Sequence, residues 1–153
     1  MNALFNESPK ALIALKDGVV FEGYSCGVAG EASGTLAFDT SASGYQQAIS
    51  SAEHAHDVLV FTYPQIGNSG CNAEDDQGGA CAAVVVRDLC ATPSSFRSTQ
   101  SLPAFLQQRG IVAIEGIDTR ALTAYVRDHG TQAAIVSTVD LDPASLARRA
   151  AEL

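Results

Sequence analysis

The sequence predicts an α/β domain whose first half is largely β. Three observations carry this. Two apolar runs flank Asp17-Gly18 in "ALIALKDGVVFEGYSC", the pattern of a hairpin around a tight turn. "ACAAVVVRDL" and "IVAIEG" are near-continuous apolar runs, as expected of strands covered on both faces. In the second half, capped amphipathic segments alternate with such strands, which is the order of an α/β fold.

The elements follow in order. After the hairpin, "GVAGEASG" reads as a glycine-punctuated loop and "TLAFDT" as a short strand. "SGYQQAIS" reads as a short helix with Ser43 as its N-cap, because a serine hydroxyl can accept from the free amides of the first turn. "DVLVFTY" is a strand of branched and aromatic residues ended by Pro64. "PQIGNSGCNAEDDQGG" is a long loop with an acidic knot at Glu74, Asp75 and Asp76. "SLPAFLQQRG" is a helix capped by Ser101 and stopped by Gly110. "DTRALTAYVRDHG" is the clearest helix: Asp118 caps it, Leu122, Tyr125 and Val126 share a face, and Gly130 ends it. "QAAIVST" is a strand, and "DPASLARRAAEL" is a helix with Asp142 as cap and Pro143 in its first turn. No repeat or low-complexity linker divides the chain, so residues 1–153 read as a single domain.

Bulk properties exclude several function classes. The net charge of −8 argues against a nucleic-acid surface, which needs clustered Lys and Arg. No apolar run reaches membrane-spanning length, and the N-terminus lacks the basic start and apolar core of a signal peptide, so a cytoplasmic location is expected. Cys26, Cys71, Cys81 and Cys90 form no CxxC pair, so zinc is not expected and the thiols read as reduced, semi-buried side chains.

The chemistry-bearing residues do not assemble into a motif. Neither Ser41 nor Ser43 has the G-x-S-x-G surround of a nucleophile elbow, and Cys81 precedes a strand where an elbow follows one. His54-Ala55-His56 has no third ligand at useful spacing. "GVAGEASG" and "IGNSG" match neither the P-loop nor the dinucleotide fingerprint. What remains is two elaborate glycine-rich loops, and such loops in compact domains tend to be functional.

Several stretches carry a resemblance. "GTLAFDTSASGYQQAIS", "VLVFTYPQIGNSGCNAED", "VVVRDL", "SSFRS" and "IVAIEGIDTRALTAYVRDHGTQAAIVS" occur in this order. Together they resemble the N-terminal domain of the small subunit of glutamine-dependent carbamoyl-phosphate synthetase, over about Ala11 to Thr138. The resemblance implies a three-layer β/β/α swivelling-type domain with mixed sheets. It implies a structural and subunit-interface role beside a class I glutamine amidotransferase domain, which releases ammonia from glutamine. That ammonia would reach a large subunit that makes carbamoyl phosphate from bicarbonate with ATP and Mg, for pyrimidine and arginine biosynthesis.

The expected partners are therefore the large subunit and a C-terminal amidotransferase domain that this chain does not contain. No cofactor is expected in this domain, and the domain alone is expected not to be catalytic. Tyr45, Ile66, Gly67, Asn68, Asp118 and Arg120 fall in the shared motifs and are the implied interface residues. Glu53 stands where the family places a serine that reaches the glutamine site, and its carboxylate can accept hydrogen bonds but not donate them. Asp39 and Ala42 also depart from the family's usual Asn and Met. The alternative is a free-standing binding module of the same fold, for an anionic ligand or another protein.

Overall fold

The computed structural model describes residues 9–41, 44–68, 70–90 and 100–153. Nine strands and four α-helices are found among them: β1 Lys10–Leu15, β2 Val20–Ser25, β3 Glu31–Asp39, α1 Tyr45–Ser50, β4 Asp57–Phe61, β5 Gln65–Ile66, β6 Ala83–Val85, β7 Asp88–Leu89, α2 Leu102–Arg109, β8 Val112–Glu115, α3 Thr119–His129, β9 Ala133–Ser137 and α4 Pro143–Ala151. A single 3-10 turn, Ala52–His54, follows α1.

Seven of the strands close into a barrel in the order β1-β2-β8-β6-β4-β3-β9, and β5 and β7 form a separate two-stranded sheet. One wall is parallel, since β3, β4, β6 and β8 run the same way. The other is antiparallel, with β9 joined to both β1 and β3 and β2 joined to β8. The mixed α/β class with a mostly sheet core is thus as expected. The ladder itself, however, is one closed ring and does not present two separately edged sheets.

Side-chain alternation explains why the strand sequences look apolar throughout. Ala11, Ile13 and Leu15 of β1 point into the lumen with Val58, Val60, Val85, Ile114 and Val136. The intervening Leu59, Phe61, Val84 and Ala113 face outward against Tyr45 and Ile49 of α1 and Leu102, Phe105 and Leu106 of α2. On the antiparallel wall, Leu12, Ala14 and Ile135 face Leu146 and Ala150 of α4. β1, β4, β6, β8 and β9 therefore bury both faces, while β2 leaves Glu22 and Tyr24 exposed. Leu122 and Val126 of α3 join the lumen cluster. A small barrel is filled by its own side chains, so a helix can reach that cluster only at an open end.

Local sequence accounts for the helix ends. Ser101 accepts from Ala104 N at 3.2 Å, Asp118 from Ala121 N at 3.0 Å and Asp142 from Ala144 N at 3.1 Å. Gly110 adopts the left-handed conformation that ends α2. The expected Ser43 cap lies outside the described residues; the residue before α1 is Gly44, with no side-chain capping bond.

Three strand boundaries differ from expectation. Half of the expected "GVAGEASG" loop is strand, because Glu31 to Gly34 pair with β9, a partner about a hundred residues away. "DVLVFTY" stops at Phe61, before Tyr63 and Pro64. "ACAAVVVRDL" splits: Ala83–Val85 belong to the barrel, while Asp88–Leu89 pair with Gln65–Ile66 inside the expected long loop. Membership of a particular sheet depends on which partner lies alongside, and a local pattern does not carry that information.

Candidate functional site

The motif around α1 builds a loop. Tyr45 is buried, and its hydroxyl donates to Gly70 O at 2.8 Å. Gln46 uses both ends of its amide on one residue: Nε2 donates to Asn72 O at 2.7 Å, and Oε1 accepts from Asn72 N at 3.0 Å. Ser50 donates to Gln46 O and accepts from Gln77 N at 2.9 Å, while its own carbonyl accepts from Gly79 N. Asn72 and Asp75 bond each other reciprocally through backbone and side chain. From the far side Arg109 reaches Asp76, donates to Gly79 O at 2.6 Å and lies over the Phe105 ring. The expected acidic knot is therefore a pinned structure, with Asp75 and Asp76 both engaged.

Beside this loop lies an open cleft of about 640 Å³, lined by Asp39, Ser41, Gly44, Gln47, Ala48, Ser51, Glu53, His54 and Gln77. Glu53 is exposed in the 3-10 turn, and its amide is capped by the Ser51 hydroxyl at 3.2 Å. His54 Nδ1 sits 2.8 Å from Asp57 Oδ2.

No hydrogen bond among the described residues links His54 to a hydroxyl or thiol. Ser41 is tied to Asp39 through its own amide and hydroxyl, and Ser43 lies outside the described residues. Cys81 is buried, with burial pushing its thiol up to about 12, and Cys71 is pushed up to about 12 by burial and then by Asp75 and Asp76. Burial followed by Glu115 pushes Cys26 up as well. A protonated, buried thiol is a poor nucleophile. No cluster of three or more metal-ligating side chains occurs among the described residues.

The other motif residues divide by exposure. Ile66 is in the core, and Gly67 is buried beneath Cys90 and Leu102. Tyr45 and Ile66, expected at an interface, are buried within this chain. Asn68, Asp118 and Arg120 are exposed. "VVVRDL" and "GIDTR" meet in space, since Gly116 N donates to Arg87 O at 2.9 Å and Ile117 N to Val86 O at 3.3 Å. Arg87, Gly116, Ile117 and Asp118 line a second hollow of about 270 Å³. The sequence reading missed the loop-pinning roles of Gln46, Ser50 and Arg109. The one available signal was Arg109 four residues after Phe105, a spacing that stacks the two on a helix.

The fold and site define a mixed α/β barrel domain whose motif residues build hydrogen-bonded loops and leave Asn68, Asp118 and Arg120 exposed. It belongs to the carbamoyl-phosphate synthase small chain family: the family model for the carbamoyl-phosphate synthase small chain, CPSase domain, matches residues 13–136. Among similar curated proteins, the carbamoyl phosphate synthase small chain of Syntrophotalea carbinolica is 44% identical over 92% of this chain and 38% of its own length. That of Thermotoga maritima is 46% identical over 95% of this chain and 38% of its own length. That of Nitratidesulfovibrio vulgaris Hildenborough is 42% identical over 94% of this chain and 39% of its own length. The chain thus spans a little over a third of these relatives, 38 to 39%. No described helix is long and apolar enough to cross a membrane.

Proposed function

We propose that this chain is the structural and subunit-interface portion of the small subunit of a cytoplasmic, glutamine-hydrolysing carbamoyl-phosphate synthase. In this reading an amidotransferase domain hydrolyses glutamine, and a large subunit uses the ammonia with ATP and Mg to make carbamoyl phosphate for pyrimidine and arginine biosynthesis. The domain itself performs no bond-making. The observation that carries this is the use of the family's hydroxyl-bearing motif: Tyr45, Gln46 and Ser50 all hold the 70–79 loop in place. Residues so engaged suit a surface that must dock without rearranging. The reading keeps the family's three-layer swivelling arrangement, with the two barrel walls as β layers and α1 and α2, against the parallel wall, as the third.

Glu53, on the rim of the larger cleft, is assigned to the edge of the glutamine site. Its carboxylate is suited to the ammonium end of an amino acid. The alternative of a free-standing module for an anionic ligand fits less well, because Asp39 and Glu53 give this cleft negative charge. The test is assembly: full-length small chain in which Gly67 and Asn68 are replaced should lose co-purification with the large chain. Undiminished assembly counts against the interface role.

A further inference from the structure

Of the chain's histidines, His54, His56 and His129, it is His54 that lines the larger cleft, together with Asp39, Gln47, Ser51 and Glu53. Its side chain is 25% exposed, and its Nδ1 sits 2.8 Å from Oδ2 of Asp57, a side chain 23% exposed. The 3-10 turn that carries both Glu53 and His54 is held at its start by Ser51. The Ser51 hydroxyl accepts from Glu53 N at 3.2 Å, and the Ser51 carbonyl accepts from His54 N at 3.1 Å. At its other end the His54–Asp57 contact joins the turn to the first residue of β4.

This pairing fixes the tautomer. A carboxylate can only accept, so Nδ1 carries a hydrogen and donates to Asp57, and the proton that comes and goes is the one on Nε2. Histidine is the side chain whose charge changes between about pH 5 and about pH 8. The charges around His54 are of one sign: Asp57 comes from β4, Asp39 from β3 and Glu53 from the same turn. On the neighbouring loop, Asp75 accepts from Gln47 Nε2 and Asp76 is paired with Arg109. His56, two residues on, is exposed. Cys81 stays a thiol, because burial, and then the Asp57 charge, push it up to about 12. With Nε2 protonated, the ring offsets one of the three carboxylates at the cleft. With Nε2 free, all three act on it.

We propose that His54 is a charge switch for the glutamine site: as pH rises its Nε2 proton passes to water, and the cleft then presents the uncompensated charge of Asp39, Glu53 and Asp57 to the ammonium end of glutamine. This rests on the proposed function, which assigns Glu53 to the edge of that site, and adds its regulation by pH. His54 acts through the field of the cleft and needs no contact with the substrate, so it is a tuning residue and not a catalytic one. The direction follows from charge. An ammonium group is drawn more strongly to three negative charges than to two, so glutamine binding should tighten from acid to neutral pH. Water in the open cleft holds the effect to a few-fold. By reciprocity, bound glutamine should favour the neutral ring.

The experiment uses the full-length small chain assembled with the large chain. KM for glutamine is measured from about pH 6 to about pH 8, with the rate on supplied ammonia as control. Glutamine hydrolysis has a pH dependence of its own, so the readout is each variant's KM divided by that of the parent. His54→Asn keeps a donor for Asp57 and cannot titrate; its ratio should fall about 2- to 5-fold from about pH 8 to about pH 6. Asp57→Asn keeps an acceptor for Nδ1 and removes the charge, so it should move the step in KM to lower pH, a shift that loss of structure alone does not produce. In the full-length small chain with isotope-labelled histidine, added glutamine should move the His54 ring titration, followed by NMR, to lower pH. If His54→Asn fails to fold, Asp57→Asn and the ring titration carry the test. KM profiles of parent and variants that run parallel, with a His54 titration unmoved by glutamine, would overturn the switch and leave the proposed function standing. If the parent assembly uses ammonia but neither binds nor uses glutamine at any pH, both fall.

Discussion

Tyr45 illustrates how much of this domain is decided by single polar atoms. Its ring belongs to the cluster between α1 and the parallel wall, and its hydroxyl answers the buried Gly70 carbonyl. Tyr45→Phe keeps the ring and removes the donor, so it should cost about 1–2 kcal/mol, measured by urea denaturation. Glu115 works in the opposite direction. Burial, and then Asp88, hold its carboxyl above the ordinary carboxylate range. The folded state therefore favours the protonated form: the contribution to stability is full below the unfolded pKa and is lost as pH rises through the folded pKa. Glu115→Gln should stabilise the domain at neutral pH by about half a kcal/mol or less, since the group is only half-buried. The gain should disappear on acidification; a variant equally or less stable at neutral pH would show that the seam tolerates the charge. At Glu53 the readout is kinetic. Under the proposed function, Glu53→Ser in the full-length small chain assembled with the large chain should raise KM for glutamine about 3- to 10-fold. The rate with ammonia supplied directly should be unchanged.

At the scale of elements, sequence legibility tracks how local the cause is. Ser101, Asp118 and Asp142 were readable as caps because a cap bonds an amide two or three residues on. The hairpin was readable for the same reason, and β1 and β2 pair across Asp17-Gly18 as expected. The short β5–β7 pairing was not readable, because it joins Gln65–Ile66 to residues more than twenty positions away through two residue pairs. The exposure of motif residues was also hidden: Ile66, Gly67 and Asn68 are consecutive, yet only Asn68 reaches the surface. Gly67 shows what the loop demands. It has φ of 104°, and a Cβ there would sit 2.8 Å from Cys90 O. Gly67→Ala should therefore destabilise by about 1–3 kcal/mol and displace the strand pair that holds Asn68, detectable as a lowered thermal midpoint.

At the scale of the whole molecule, closure of the barrel is the property least visible in the sequence. It depends on β9 lying between β1 and β3, and on β2 meeting β8, across separations of about ninety residues or more. The β2–β8 seam has only two ladder pairs, Tyr24 with Glu115 and Ser25 with Ile114, against five between β3 and β4. It is extended past the end of β2 by Cys26 N donating to Ala113 O and Val28 N to Ile111 O, each at 3.0 Å. This extension requires a residue without a Cβ between them, because a Cβ on Gly27 would fall 2.3 Å from Ile111 O and 2.8 Å from Ala113 N, both backbone atoms that cannot turn aside. Gly27→Ala should therefore part the seam while leaving the β3–β4–β6 wall paired. Native-state hydrogen exchange is the suitable measurement, since local openings appear there separately from global unfolding. The amides of Cys26 and Val28 should lose protection about 10-fold or more, with global stability lowered by about 2–4 kcal/mol. The amides of Leu59 and Val84 should still exchange only by global unfolding. Uniform loss of protection around all seven strands would instead mean that the barrel opens as one unit and that the seam is no weaker than the rest.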